Sequence, residues 1–307
     1  MEHLTAYLFP GQGSQCVGMG QALVQHSEEA RLTFAEADRI LGFPLSDLCF
    51  RGPAEILTET SNAQPAILTA SVAALRALQA ARPDSLQPAF LAGHSLGEYS
   101  ALVASGALHF SDALNLTRAR GELMARAGKR SPGSMAAILG IGDDGVSAIC
   151  ARATSETGSI VQVANYNSPG QVVISGEKRG VERAMEFARQ EGGRSRPLAV
   201  SIAAHSALMA SIVDEFAAHV TATPLRSPSV PVIGNLSARP LVDCDHIRDE
   251  LVGQLTGSVR WTESVRAMVE GGVDRFVEIG PGTVLTGLVK RIAPAAQTAN
   301  VAEPGDI

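Results

Sequence analysis

The chain has 307 residues, 45% of them hydrophobic and 18% charged, the composition of a globular protein with a sizeable core. Its net charge is −6, with no basic block and no interleaving of aromatic and basic residues, which argues against nucleic acid as a partner. Apolar runs are broken by polar residues before they could cross a bilayer, and the first residues lack a signal-peptide pattern, so a cytoplasmic protein with no membrane partner is expected.

Residues 4–9 read as a strand, and Pro10-Gly11-Gln12-Gly13-Ser14-Gln15 as the tight loop after it. Residues 66–81 form an Ala/Leu helix stopped at Arg82-Pro83. Residues 89–92 are a short buried strand, and 98–108 a helix, with further helices to Ala127. Lys129-Arg130-Ser131-Pro132-Gly133-Ser134 is a loop and a boundary. The rhythm then changes to strand 135–141, helix 143–153, strand 160–166, turn 167–170, strand 171–175, helix 177–191 and strand 195–200. That β-α-β-β-α-β order is the ferredoxin-like pattern. Beyond Ser206 come a helix, a strand at 231–233, a helix, a strand at 275–279, a last helix from Thr283 and a frayed tail from Ala293. The fold class is therefore α/β: a larger domain at 1–132 and 202–307, with an inserted ferredoxin-like small domain at 133–201.

The segment Gly93-His94-Ser95-Leu96-Gly97 lies between the 89–92 strand and the next helix and fits the G-x-S-x-G elbow. Its two glycines remove side chains that would collide in so sharp a turn, leaving Ser95 at the tip. The Leu96 N–H then opens the helix without an intrahelical partner and is free to donate to an oxyanion. A serine hydroxyl needs a base within hydrogen-bond reach. Of seven histidines, His205 stands where the chain leaves the small domain, at the expected cleft. His94 is adjacent to Ser95 on the turn, so its ring points elsewhere and it is read as a cleft-lining or structural residue. The Gly11-Gln12-Gly13 loop lacks the Gly-Lys-Ser/Thr ending of a phosphate-binding loop, and Cys16 stands where a dinucleotide fingerprint needs its third glycine. Cys16, Cys49, Cys150 and Cys244 have no metal-ligand spacing and read as incidental thiols of a reducing compartment, so no metal is expected.

Six motifs follow one another in order: Phe9-Pro10-Gly11-Gln12-Gly13-Ser14-Gln15, Gly93-His94-Ser95-Leu96-Gly97-Glu98, Arg118-Ala119-Arg120-Gly121-Glu122-Leu123-Met124, Asn167-Ser168-Pro169-Gly170-Gln171, Ala204-His205-Ser206 and Val277-Glu278-Ile279-Gly280-Pro281-Gly282. Together they resemble the malonyl-CoA:acyl-carrier-protein transacylase family, which includes the acyltransferases of polyketide synthases. The resemblance covers residues 4–292 and implies a hydrolase-like α/β core with a parallel sheet beside the ferredoxin-like small domain. It implies ping-pong transfer of malonyl from malonyl-CoA to an acyl carrier protein, with Ser95 as nucleophile and His205 as base. It further implies Gln12 and Leu96 as oxyanion-hole backbone donors, Arg120 rather than Arg118 as the partner of the malonyl carboxylate, and His94 beside the substrate. No resident cofactor is implied, coenzyme A entering as the thioester substrate, and a monomer is expected. The family orients its histidine with a main-chain carbonyl, expected here near Val259-Arg260-Trp261, where Arg260 replaces a frequent glutamine.

Two other readings stay open at this stage. One is an acyl hydrolase, or a transferase for a substituted malonyl or other acyl group; Arg120 speaks against the hydrolase by favouring a dicarboxylic acyl. Leu96 leans towards malonyl, while Ile202-Ala203-Ala204 before the histidine matches neither familiar signature and Ala204 leaves room for a substituent. The other is a non-catalytic docking protein, against which Ser95, His205 and the elbow glycines speak together. The basic run of Lys178, Arg179, Arg183, Arg189, Arg194 and Arg196 is a candidate surface for an acidic carrier protein, its alternative being a plain solvated helix face.

Overall fold

The computed structural model describes residues 3–83, 87–200 and 202–307. Ser201, the expected last residue of the small domain, lies outside the described residues, as do Met1 and Glu2 at the start of the large one. Among the described residues, ten strands form two sheets: β1 (Thr5–Phe9), β2 (Phe90–Gly93), β3 (Gly133–Leu139), β4 (Val161–Ser168), β5 (Gln171–Glu177), β6 (Arg194–Pro197), β7 (Val232–Ile233), β8 (Pro240–Leu241), β9 (Arg275–Ile279) and β10 (Gln297–Val301).

The larger sheet has the order β10-β9-β1-β2-β7-β8 and is parallel except for the short β7-β8 pair. β1 is buried along its whole length because helices cover both faces, which is why it reads as an unbroken apolar run. Its residues alternate between two cores. Tyr7 and Phe9 pack with the helix Thr60–Ala81, while Ala6 and Leu8 pack with Trp261, Phe276 and Leu285. The smaller sheet is antiparallel, in the order β4-β5-β3-β6. β3 and β5, its first and third strands along the chain, are central, and the helices Asp143–Thr157 and Lys178–Gln190 share a separate core with it around Ile138, Ile174 and Phe187. This is the strand arrangement of the ferredoxin-like pattern.

Two expectations change. The tail from Ala293 is not frayed: β10 pairs with β9 from Gln297↔Arg275 to Val301↔Ile279, and Val301 is buried. An edge strand needs one ladder and one covered face, so the polar Gln297-Thr298-Ala299-Asn300 segment carries no alternation to reveal it. The long helix starts at Thr60, six residues before the expected start, and holds Pro65 in its interior. Proline cannot donate to the carbonyl four residues back. Here that carbonyl, Ser61 O, instead accepts from Arg118 Nη1 at 3.1 Å.

Candidate active site

The site forms at the carboxyl ends of β1 and β2, neighbouring parallel strands, where open α/β sheets place their ligand crevices. Ser95 sits between β2 and the helix Gly97–Ala104 with a φ of +51°. For a non-glycine residue this backbone costs on the order of 1–3 kcal/mol and persists only where neighbours enforce it. They do so here. A Cβ on Gly93 would lie 1.9 Å from the Gly97 carbonyl carbon, and one on Gly97 would lie 2.0 Å from Phe9 O. The elbow thus closes only with glycine at both positions. Asn235 then locks it, accepting from Ser95 N at 2.7 Å and donating to Gly93 O at 2.8 Å.

His205 is 4% exposed and also lies at positive φ, +56°. Its Nε2 is 2.8 Å from Ser95 Oγ. Its Nδ1 faces two main-chain carbonyls, Gln254 O at 2.8 Å and Gly257 O at 3.2 Å. Carbonyls only accept, so Nδ1 carries the proton and Nε2 offers its lone pair to the serine. The orienting carbonyls come from Gln254 and Gly257, not from the expected 259–261 segment. The 259–261 stretch is engaged elsewhere: Val259 bridges to β4, and Arg260 N donates to Asn235 O at 2.8 Å and Arg260 Nε to Glu263. Burial above all, then the nearby Arg120 charge, pulls the His205 pKa down to about 3, so the ring is neutral around pH 7.

Arg120 projects from the helix Phe110–Arg130 and is 2% exposed. Gly121 lets that helix approach Thr60, where a Cβ would meet Thr60 O at 2.6 Å. The guanidinium donates to Gln64 Oε1 at 2.9 Å, to Gln254 Oε1 at 2.8 Å and to Ser95 Oγ at 3.3 Å. Among the described residues it makes no ion pair, and its Nε has no partner. Glu98 is the nearby acid, and it is reached only through Gln254, whose Nε2 donates to Glu98 Oε2 at 2.6 Å and to Ser95 O at 3.2 Å. Burial, with Glu250 close by, holds the Glu98 carboxyl well above the usual range and disfavours its charged form. Arg118 turns away, to Glu122, Ser61 O and Asn62, and lies over Phe43.

Gly11 packs against the elbow, where a Cβ would come within 2.3 Å of His94 O, so the loop that carries Gln12 runs along the elbow. The N–H groups of Gln12 and Leu96 have no acceptor among the described residues. The Gln12 side chain accepts from Thr60 Oγ1, which also accepts from Gln64. His94 points away from the serine: Nε2 meets Asn167 Oδ1 at 2.9 Å, and the ring packs on Trp261. The expected carrier surface is partly neutralised, since Arg183 pairs with Glu156 and Glu186, and Lys178 lies 3.9 Å from Glu182. Gln64, Gln254 and Asn235, which hold the site together, were not singled out from the sequence. Nothing local marks them: Gln64 follows Thr60-Ser61-Asn62, and Asn235 and Gln254 each sit beside a glycine.

A serine hydroxyl within reach of a neutral histidine, a buried cation without an anionic partner and free backbone donors make a site suited to acyl transfer. The model of the acyl transferase domain family matches residues 6–303. The malonyl CoA-acyl carrier protein transacylase of Bacillus subtilis is 46% identical over 98% of this chain and 94% of its own length. The crystal structure of an acyl carrier protein S-malonyltransferase from Vibrio cholerae superposes with a TM-score of 0.95 at 44% identity, covering 99% of this chain and 98% of that one. A malonyl-transacylase solved in complex with its type II polyketide synthase acyl-carrier protein gives 0.95 at 42% identity, covering 98% and 97%. Matched over nearly its full length in sequence and in fold, the chain belongs to the acyl transferase domain family and is an acyltransferase.

Proposed function

We propose that the protein moves a malonyl group from malonyl-CoA to the phosphopantetheine thiol of an acyl carrier protein, in a ping-pong reaction through an ester on Ser95. One observation carries this reading. A buried guanidinium, Arg120, is held by neutral amide oxygens 3.3 Å from the Ser95 hydroxyl. A buried cation without an anionic partner is costly. The free carboxylate of a malonyl group supplies that partner in a geometry that matches the planar guanidinium. The names of the relatives support the same donor and acceptor.

In acylation, the Ser95 hydroxyl passes its proton to His205 Nε2 as Oγ attacks the thioester carbonyl. The carbonyl oxygen becomes negative against the N–H groups of Gln12 and Leu96. Collapse breaks the carbon–sulfur bond, and the coenzyme A sulfur leaves with the proton from His205. In deacylation, the phosphopantetheine thiol gives its proton to His205, its sulfur attacks the ester, and Ser95 Oγ recovers the proton. The reaction calls on no resident cofactor or metal. Every group named comes from one chain, so a monomer suffices.

Intact-protein mass spectrometry after mixing with malonyl-CoA, with and without carrier protein, tests the proposal. The wild type gains one malonyl group and passes it to the carrier; Ser95→Ala gains none. A malonyl adduct on Ser95→Ala would overturn the nucleophile. Release of free malonate in place of carrier loading would make the protein a hydrolase.

A further inference from the structure

His205 and the carbonyls that orient its ring belong to two separate loops, and one side chain ties those loops together. Gln162 lies on β4, and its Nε2 donates to His205 O at 3.3 Å and to Thr256 O at 3.1 Å. Its Oε1 accepts from Ala207 N at 3.1 Å. A rotated amide would set its oxygen against two carbonyls and its NH₂ against an N–H, so only this orientation satisfies all three contacts. Thr256 sits between Gln254 and Gly257, whose carbonyls hold Nδ1 of His205. The strand that carries Gln162 is fixed in turn. β4 is an edge strand of the small sheet, and its outer side is bonded to Val259, with Tyr166 N to Val259 O at 2.9 Å and Val259 N to Ala164 O at 2.8 Å.

We propose that Gln162 is a positioning residue for acyl transfer: its carboxamide clamps the loop bearing His205 to the loop whose carbonyls orient the ring, and so holds Nε2 against Ser95. The proposal rests on His205 being the base. His205 has a positive φ that needs enforcement from outside its own loop, and Gln162 bonds to both sides of it, at His205 O and Ala207 N. Through Gln162, the small sheet contributes to catalysis without touching substrate.

The test is the single-turnover acylation rate with malonyl-CoA for Gln162→Ala and Gln162→Glu, each alone and in a His205→Ala background. Gln162→Ala is expected to slow acylation by roughly 10- to 100-fold, the cost of a misplaced catalytic group, with KM for malonyl-CoA within about twofold. Gln162→Glu keeps the acceptor for Ala207 N but turns acceptors towards two carbonyls. It is expected to be slow at pH 8, and its deficit against the wild type at the same pH to shrink as pH falls through the carboxyl range at about 4.3, where the protonated carboxyl donates once more; Gln162→Ala shows no such recovery. In the His205→Ala background, neither substitution slows acylation further. Wild-type acylation by Gln162→Ala, or an equal loss with and without His205, would overturn the proposal. If Gln162→Ala does not fold, the pH recovery of Gln162→Glu decides alone, and its absence refutes the clamp. Wild-type acylation by His205→Ala itself would show instead that the reading of the base had failed.

Discussion

The charge on Arg120 adds to burial in lowering the basicity of His205, and the substrate is expected to change that contribution. Burial is the main reason the ring is pulled down to about 3, and Arg120 is the second; the carbonyls of Gln254 and Gly257 act in the opposite direction. Arg120 Nη2 and His205 Nε2 are linked through Ser95 Oγ by contacts of 3.3 and 2.8 Å. Two unit charges about 6 Å apart at an effective dielectric near 20 repel by roughly 3 kcal/mol, or about two pKa units. A malonyl carboxylate bound to Arg120 neutralises most of that repulsion. With the neutral ring as the proposed base, activity is expected to be lost as pH falls through the ring's pKa. The acid limb of kcat/KM, which reports free enzyme, is therefore expected far below the 6.5 of an unperturbed histidine. The limb of kcat, which reports the bound complex, is expected about one to two units higher.

Arg120→Met removes the charge while keeping an unbranched side chain. It is expected to raise the kcat/KM limb and to bring the two limbs together. Ring-nitrogen NMR of His205 in the Ser95→Ala protein reads the same titration directly, with and without malonyl-CoA. A ring that titrates near 6.5 in the free protein, or one that Arg120→Met leaves unmoved, would refute the coupling.

Further outcomes follow from the same geometry. His205→Ala should slow both half-reactions by roughly 10²- to 10⁴-fold, whereas His94→Ala, whose ring serves Asn167 and Trp261, should cost less; the reverse order in single-turnover rates would mean the wrong histidine. Arg120→Ala should cut malonyl loading by roughly ten- to a hundredfold, the equivalent of one charge-assisted bond, while acetyl loading is kept or improved. Arg118→Ala should leave the malonyl-to-acetyl ratio intact, because that side chain is bonded to Glu122 and Asn62.

What could be read from the sequence follows from how far each contact reaches along the chain. The elbow was legible because its requirement is local: Gly93 and Gly97 are four residues apart, and a Cβ on Gly93 would strike Gly97 itself. The alternating helices and strands of 133–197 were legible for the same reason, each element showing its own period. The choice of Arg120 over Arg118 was not periodicity; it came from the resemblance, and the geometry shows why two residues matter. On one helix they face Gln64 and Gln254 in the one case, and Ser61 and Asn62 in the other. The amides could not be found in this way. Gln254 joins Arg120, Glu98 and Ser95 with its side chain and His205 with its carbonyl, four partners drawn from three distant segments. A carbonyl has no sequence signature, since every residue owns one, so the orienter was expected several residues too late. A buried amide has none either, because a glutamine reads equally as a solvent-facing position. The distinction rests on burial, and burial depends on the closure of the whole fold. Groups such as Ser95 and His205 can therefore be picked out from short motifs, whereas the residues that hold them at 2.8 Å become visible only once distant segments are brought together.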